Sequence, residues 1–210
     1  GCGGFLDQDH SFTDLVSLLH QIFDGLEAGD VVGRVLTVAI GMASRLEGMD
    51  ISAEMLRKAA AKGIYDRLEQ ADLTLLEPWS GIAPDLVTAA DVFMYLGDLE
   101  RVFQWIAATL APGGLFGFTV EAAPGDDDIV LRPSLRYAHG ETYVCKQLEC
   151  CGLEPMSITR HTIRMDRGEP VEGLVAVAMK PAMRPSAVAG WTSPVLADED
   201  AAKDRLSALH

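Results

Sequence analysis

Apolar and polar positions alternate in blocks along this chain, and the period changes from block to block. Residues 14–26 place Leu15, Leu18, Leu19, Ile22 and Phe23 at helical spacing, with Ser11 or Thr13 as a cap. Residues 33–41 form a short apolar run ending in Gly41, which predicts a buried parallel strand. Residues 46–59 predict a short strand, an acid at its end, and a helix. Ser52 is the N-cap there, and Met55, Leu56 and Ala59 give the i, i+3, i+4 face. Residues 68–73 predict another strand that runs into an acid, Asp72. Residues 76–83 are a loop around Trp79, and residues 84–90 a strand. A helix follows over 99–110, a Gly113-Gly114 turn, and a strand over 115–120. Residues 121–128 leave the sheet as an acidic loop. A helix over 141–151 follows, with His139 just before it. Two strands, 154–165 and 171–180, are joined by a hairpin turn at 166–170. Alternating strands and helices with a closing hairpin predict an α/β domain of three layers.

The divisions are an N-terminal lead and helix (1–32), the α/β domain (33–180) and a tail rich in Pro, Ala and Ser (181–210), with a short helix over 198–209. The net charge of −14 argues against a nucleic-acid partner, because phosphate-backbone binding needs clustered Lys and Arg. No apolar run reaches the length of a membrane span, which predicts no membrane partner. Cys2, Cys145, Cys150 and Cys151 lack paired zinc spacing. They read as reduced thiols of a cytoplasmic protein without a metal site. Asp126, Asp127 and Asp128 read as a solvated turn.

Asp50 and Asp72 carry the first chemical suggestion. A carboxylate just beyond a parallel strand is placed to accept hydrogen bonds from a ribose diol, and two in succession point to a nucleotide-like ligand. The motifs around them carry a resemblance. Gly48-Met49-Asp50-Ile51-Ser52-Ala53-Glu54-Met55-Leu56 resembles the second-strand motif of class I S-adenosylmethionine-dependent methyltransferases, and Ala71-Asp72-Leu73 their third-strand acidic motif. Residues 85–96 are similar to the fourth strand and its loop, and residues 110–116 to the turn into the fifth strand. The Arg136-Tyr137-Ala138-His139 run looks like one in a bacterial group related to tetratricopeptide-containing methyltransferases.

The resemblance implies a Rossmann-like α/β/α fold with a seven-stranded, mostly parallel sheet whose last strand is antiparallel. It implies S-adenosylmethionine as cofactor. Asp50 would hold the ribose and Ile51 lie against the adenine. Asp72 would accept from the adenine amino group, Leu73 add apolar contact, and Ala90 and Asp91 line the methionine side with Gly41. The first loop departs from the family. One glycine, Gly41, stands where several are usual, and little chain separates it from the next strand. A second register makes residues 35–43 the helix.

Methyl transfer is an in-line displacement that rests on positioning, with a general base only where the acceptor must lose a proton. His139 and Tyr137 are the candidate catalytic residues, with Glu121 and Asp91 as further candidate bases. Arg136 and Tyr137 also suit a lid. The expected function is methyl transfer to a small-molecule substrate by a monomer or homodimer. The rival is a non-catalytic methyltransferase-like binding or scaffold protein. An NAD-dependent oxidoreductase fits less well, because the glycine fingerprint before Asp50 is absent.

Overall fold

A computed structural model describes residues 43–125 and 127–182. The expected first helix, the 33–41 strand with its glycine loop, and the tail helix lie outside the described residues, as does Gly41. The strands are β1 (Glu47–Asp50), β2 (Arg67–Gln70), β3 (Leu86–Ala89), β4 (Leu115–Ala122), β5 (Ile129–Leu131), β6 (Tyr137–His139), β7 (Glu154–Asp166) and β8 (Glu169–Met179). The helices are α1 (Ala53–Ala60), α2 (Glu100–Thr109) and α3 (Glu141–Cys150), and a 3-10 turn spans Phe93–Tyr95.

β1 and β2 pair in parallel as a two-stranded sheet. The larger sheet is built around β4, all eight of whose residues are buried. β8 pairs antiparallel along one edge of β4. The other edge is divided. β3 takes Leu115 to Phe118 in parallel, and β6 takes Glu121 and Ala122 in parallel. β7 lies antiparallel outside β8. The antiparallel last strand is therefore as expected. The described strands differ from a single seven-stranded sheet in two ways: they form two sheets, and β5 and β6 add a short antiparallel hairpin.

The core is aromatic at its centre. Phe93, Phe103, Phe116 and Phe118 are all at most 1% exposed. Phe103 and Phe118 stand 5.1 Å apart edge to face, and Phe116 stacks on Phe118 at 4.5 Å. Such pairs each add roughly 0.5–1.5 kcal/mol beyond area burial. α2 supplies Val102, Phe103 and Ile106 to this core at helical spacing. The β7–β8 turn consists of Arg167 and Gly168, both at positive φ (53° and 88°), as a two-residue primed hairpin requires.

Three local expectations are corrected. β2 ends at Gln70, so Asp72 lies in the turn beyond the strand rather than at its end. β4 runs through Glu121 and Ala122, so Glu121 belongs to the sheet and not to an acidic exit loop. His139 closes β6, and Gly140 is the N-cap of α3, so the histidine belongs to a strand rather than to the helix start.

Candidate functional site

β1 ends at Asp50 because the backbone turns there into α1. Asp50 Oδ1 accepts the Ser52 N–H at 2.7 Å, and Ser52 Oγ accepts the Met55 N–H at 3.3 Å. One carboxylate oxygen thus sets the turn, and Oδ2 remains. Ile51 is 64% exposed, and its carbonyl accepts from Gln70 Nε2 at 2.9 Å. The Ala71 N–H donates to the Asp50 carbonyl at 3.2 Å, which brings the Asp72 turn beside Asp50. Asp72 Oδ1 accepts from the Thr74 hydroxyl (2.7 Å) and the Thr74 N–H (2.8 Å). These bonds, the hydroxyl's first, lower the Asp72 pKa below the usual carboxylate value and keep it charged. Leu73 packs its side chain against the main core. α1 itself buries no residue, and Met55 is half exposed.

Asp91 stands in the bend two residues beyond the end of β3. Its φ is +57°, an uncommon conformation for a non-glycine residue, though one that Asp tolerates. Two bonds hold it. The Asp91 N–H donates to Thr119 Oγ1 at 2.8 Å, and its carboxylate accepts from Arg164 Nη1. The neighbouring Ala90 is half-buried.

Arg164 comes from β7 and reaches across the sheet. Nη2 donates to Glu121 Oε1 while Nη1 holds Asp91. Glu121 is 2% exposed and also pairs with Arg132 Nε at 3.3 Å. Burial pulls the Arg164 pKa down. The hydrogen bond to Glu121 and the charges of Asp91 and Glu121 outweigh it, and the net shift is upward. Arg132 Nη2 donates to the Ala122 carbonyl at 2.7 Å. Arg136 Nη1 pairs with Asp166 at 2.8 Å. A cavity of about 300 Å³ opens beside this chain of charges. Arg132, Pro133 and Ser134 form one wall, and Asp166, Glu169, Pro170 and Val171 the other, with Glu121 and Arg164 between them.

His139 is fully buried. Its Nε2 lies 2.9 Å from the Gly97 carbonyl, which only accepts, so Nε2 carries the proton. Nδ1 then presents a lone pair with no partner. Burial lowers the His139 pKa and keeps the ring neutral. The ring stacks on Tyr143, whose hydroxyl donates to Asp98 and accepts from the Leu99 N–H at 3.0 Å. Burial first pushes the Tyr143 pKa up to about 12. The Tyr137 ring lies against Gly97, where a Cβ would come within 3.0 Å of it. The Arg-Tyr-Ala-His run thus docks β6 on the 96–98 loop.

The structure brings Asp50, Ile51 and Asp72 together at the carboxyl edge of the small sheet. Asp91 and Glu121 stand together at the carboxyl edge of the large one. His139 lies in the interior. Arg164 and Arg132 escape the sequence pattern, because their partners lie 73, 43 and 11 residues away. A single acid inside the apolar run Phe118-Thr119-Val120-Glu121-Ala122-Ala123 is the signal that a buried cation must be nearby.

A family model described as a methyltransferase domain matches residues 26–118. Over 72 residues the chain is 36% identical to the trans-aconitate 2-methyltransferase of Paracidovorax citrulli, covering 34% of this chain and 28% of that protein. The chain therefore spans well under half the length of that relative. An S-adenosylmethionine-dependent methyltransferase of Methanosarcina mazei shares the fold at a TM-score of 0.55 and 16% identity, covering 70% of this chain and 87% of its own. Residues 26–118 thus resemble a methyltransferase domain, and the described residues share the fold of S-adenosylmethionine-dependent methyltransferases. The 1,6-didemethyltoxoflavin-N1-methyltransferase of Burkholderia thailandensis, solved with S-adenosylhomocysteine, shares the methyltransferase fold at a TM-score of 0.55. It is 18% identical, over 73% of this chain and 69% of its own.

S-adenosylmethionine is the cofactor that this resemblance implies. The residues present fit its nucleoside half, since Asp50 and Asp72 each retain one carboxylate oxygen beyond those their own turns use. Among the described residues no group of three or more His, Cys, Asp or Glu is arranged to hold a metal ion. Nor is any described helix long and apolar enough to cross a membrane.

Proposed function

We propose that the protein transfers a methyl group from S-adenosylmethionine to a small-molecule acceptor. The observation that carries this reading is the pair of acids at one carboxyl edge, with Asp50 opening directly into the Ser52-capped α1. Asp50 Oδ2 receives the ribose hydroxyls, and exposed Ile51 covers the adenine. Asp72 accepts from the adenine amino group and Leu73 adds apolar contact. Ala90 and Asp91 line the methionine side. The bound cofactor supplies an electrophilic methyl on a sulfonium.

A small acceptor is supported by three observations. The net charge of −14 opposes phosphate backbones. The cavity beside Arg164 is of small-ligand size. The relatives named above are called after small molecules. His139 keeps β6 and the 96–98 loop in place from the interior. Tyr137 stands nearer the surface of the same contact. Catalysis then rests on aligning the acceptor atom, methyl carbon and sulfur.

Isothermal titration tests the binding half. Asp50→Ala removes one or two charged-acceptor hydrogen bonds worth roughly 1.5–3 kcal/mol each. S-adenosylmethionine affinity should therefore fall at least about tenfold, the equivalent of 1.4 kcal/mol. Unchanged affinity in a folded variant refutes the ribose assignment. Turnover of a labelled methyl group separates the enzyme from a non-catalytic binding protein.

A further inference from the structure

A chain of alternating charges crosses the large sheet: Arg132, Glu121, Arg164 and Asp91. Its two middle members are buried, with 13% of the Arg164 side chain exposed and 2% of that of Glu121. Its ends, Arg132 and Asp91, are partly open to solvent. Taken whole, a buried network of this kind gains little stability over apolar side chains of the same volume. Arg164 moreover leaves its Nε buried without a hydrogen-bond partner. What the network fixes is geometry, and Asp91 is the residue whose geometry has to be fixed.

Asp91 has a φ of +57° in the bend after β3. Such conformations persist where the surroundings over-determine them, and they cluster at active sites and ligand clamps. Two other strands hold Asp91 in place. Thr119 of β4 fixes its backbone N–H, and Arg164 of β7 fixes its carboxylate. An irregularity in β7 delivers Arg164. Thr162 stands opposite Glu172 and Arg164 opposite Val171, with Ile163 as the extra residue. A bulge re-aims the side chain beside it. Ile163 itself is buried over Gly173, where the missing Cβ leaves it room. The planar head of Arg164 then divides, Nη1 on Asp91 and Nη2 on Glu121. A guanidinium spans two carboxylates in this way, and an ammonium, as a point charge, does so poorly.

On the cofactor reading above, in which Asp91 lines the methionine side, we propose that Arg164 is a positioning residue for S-adenosylmethionine. It acts through Asp91 and does not touch the cofactor. Arg164 holds Oδ1 of Asp91 and leaves Oδ2 for the methionine half, whose ammonium and sulfonium are both cations. The nucleoside half binds elsewhere, at Asp50 and Asp72 beside the small sheet, whereas the partners of Arg164 are on the large one. Arg164 therefore sets the affinity for the methionine half and the alignment of the methyl group, and leaves the adenosine half unaffected.

The test compares two ligands by isothermal titration of the full chain: S-adenosylmethionine, and adenosine, which lacks the methionine half. Arg164→Met is expected to weaken S-adenosylmethionine by at least about tenfold and adenosine by less than about twofold. Where that variant fails to fold, Glu121→Gln/Arg164→Met strands no carboxylate in the interior, and the same selective loss is expected of it. Arg164→Lys keeps a charge beside Asp91 and is expected to recover part of the loss. Asp91→Asn cuts the same pair from its other end. Asp91→Asn/Arg164→Met should then bind S-adenosylmethionine no more weakly than the weaker of its two single variants, because the pair acts as one unit. Unchanged S-adenosylmethionine affinity in folded Arg164→Met overturns the proposal and leaves the cofactor reading standing. Equal weakening of both ligands does the same, since a general loss of structure has no preference for the methionine half. Additive losses in the double variant also overturn it, because Arg164 then acts independently of Asp91. Failure of the wild-type chain to bind S-adenosylmethionine overturns both.

Discussion

Replacing Arg164 with Met isolates the ion chain that joins the two carboxyl-edge regions of the large sheet. The change keeps most of the aliphatic length and removes both guanidinium pairs. Glu121 loses its bond to Nη2 but retains Arg132 Nε at 3.3 Å. Removing one partner of a buried pair costs roughly 3–5 kcal/mol when the remaining charge is stranded. Here the second guanidinium reduces that, to about 2–3 kcal/mol on the same scale. Asp91, with its side chain 34% exposed, adds at most about 1 kcal/mol, the range of a solvent-screened pair. The sum is on the order of 3 kcal/mol, a large share of the roughly 5–15 kcal/mol that holds a domain folded. For a chain of this size it corresponds to a fall in Tm of about 6–12 °C. Urea and thermal unfolding of the single variants and of Glu121→Gln/Arg164→Met measure it. If a stranded carboxylate causes the loss, the double variant should recover about half of it, because Gln carries no charge into the interior. A loss below about 1 kcal/mol in Arg164→Met shows the pair to be solvent-screened and refutes the reasoning. Failure of Glu121→Gln to rescue shows that the cost lies elsewhere.

Two further outcomes concern the interior. The His139 pKa is lowered by burial, so between that value and the ordinary 6.5 the unfolded chain binds more protons than the folded one. His139 therefore contributes stability in full above about pH 6.5, and this is lost as pH falls from there through the depressed folded value. Denaturation midpoints from pH 8 to 5 should show this slope in the wild type and a shallower one in His139→Gln; equal slopes refute it. At Gly173 a Cβ would lie 2.6 Å from the Val120 carbonyl and 2.6 Å from Ile163 Cδ1. Gly173→Ala should destabilise by roughly 1–3 kcal/mol through overpacking of the β4–β8 ladder, and an unchanged denaturation midpoint refutes it.

Periodicity made the regular elements legible. The Ser52 cap and the 55, 56, 59 spacing gave α1, and alternation on either side of Arg167-Gly168 gave the closing hairpin. The β5–β6 hairpin was not legible. Its strands are three residues each, too short for alternation to register, and its turn lacks a glycine pair. Asp72 carried the right residue type for a strand end, but its Thr74 bonds build a turn instead, a competition that Asp side chains often win. The ion chain through Arg164 is the clearest loss. Its distances along the sequence reach 73 residues, and only the folded sheet closes them. His139 shows the opposite error, since the sequence supplied a suitable side chain and burial removed its access.

The divided edge of β4 has a bearing on the order of assembly. β4 is the only described strand with three neighbours: β3 precedes it in the chain, while β6 and β8 follow it. Its longest ladder, with β8, pairs Leu115 with Met179 across 64 positions. On a ribosome, β3, β4 and α2 emerge while one side of β4 still lacks its partner, with Phe116 and Phe118 awaiting cover. The β7–β8 hairpin closes locally through a two-residue turn, so it can form early as a unit, but it is made last of the described strands. Until it docks, the nascent chain presents an open hydrophobic strand edge, the kind of surface that chaperones hold and that pairs with other chains. Chains that stop within the final hairpin should therefore aggregate rather than accumulate as smaller folded proteins.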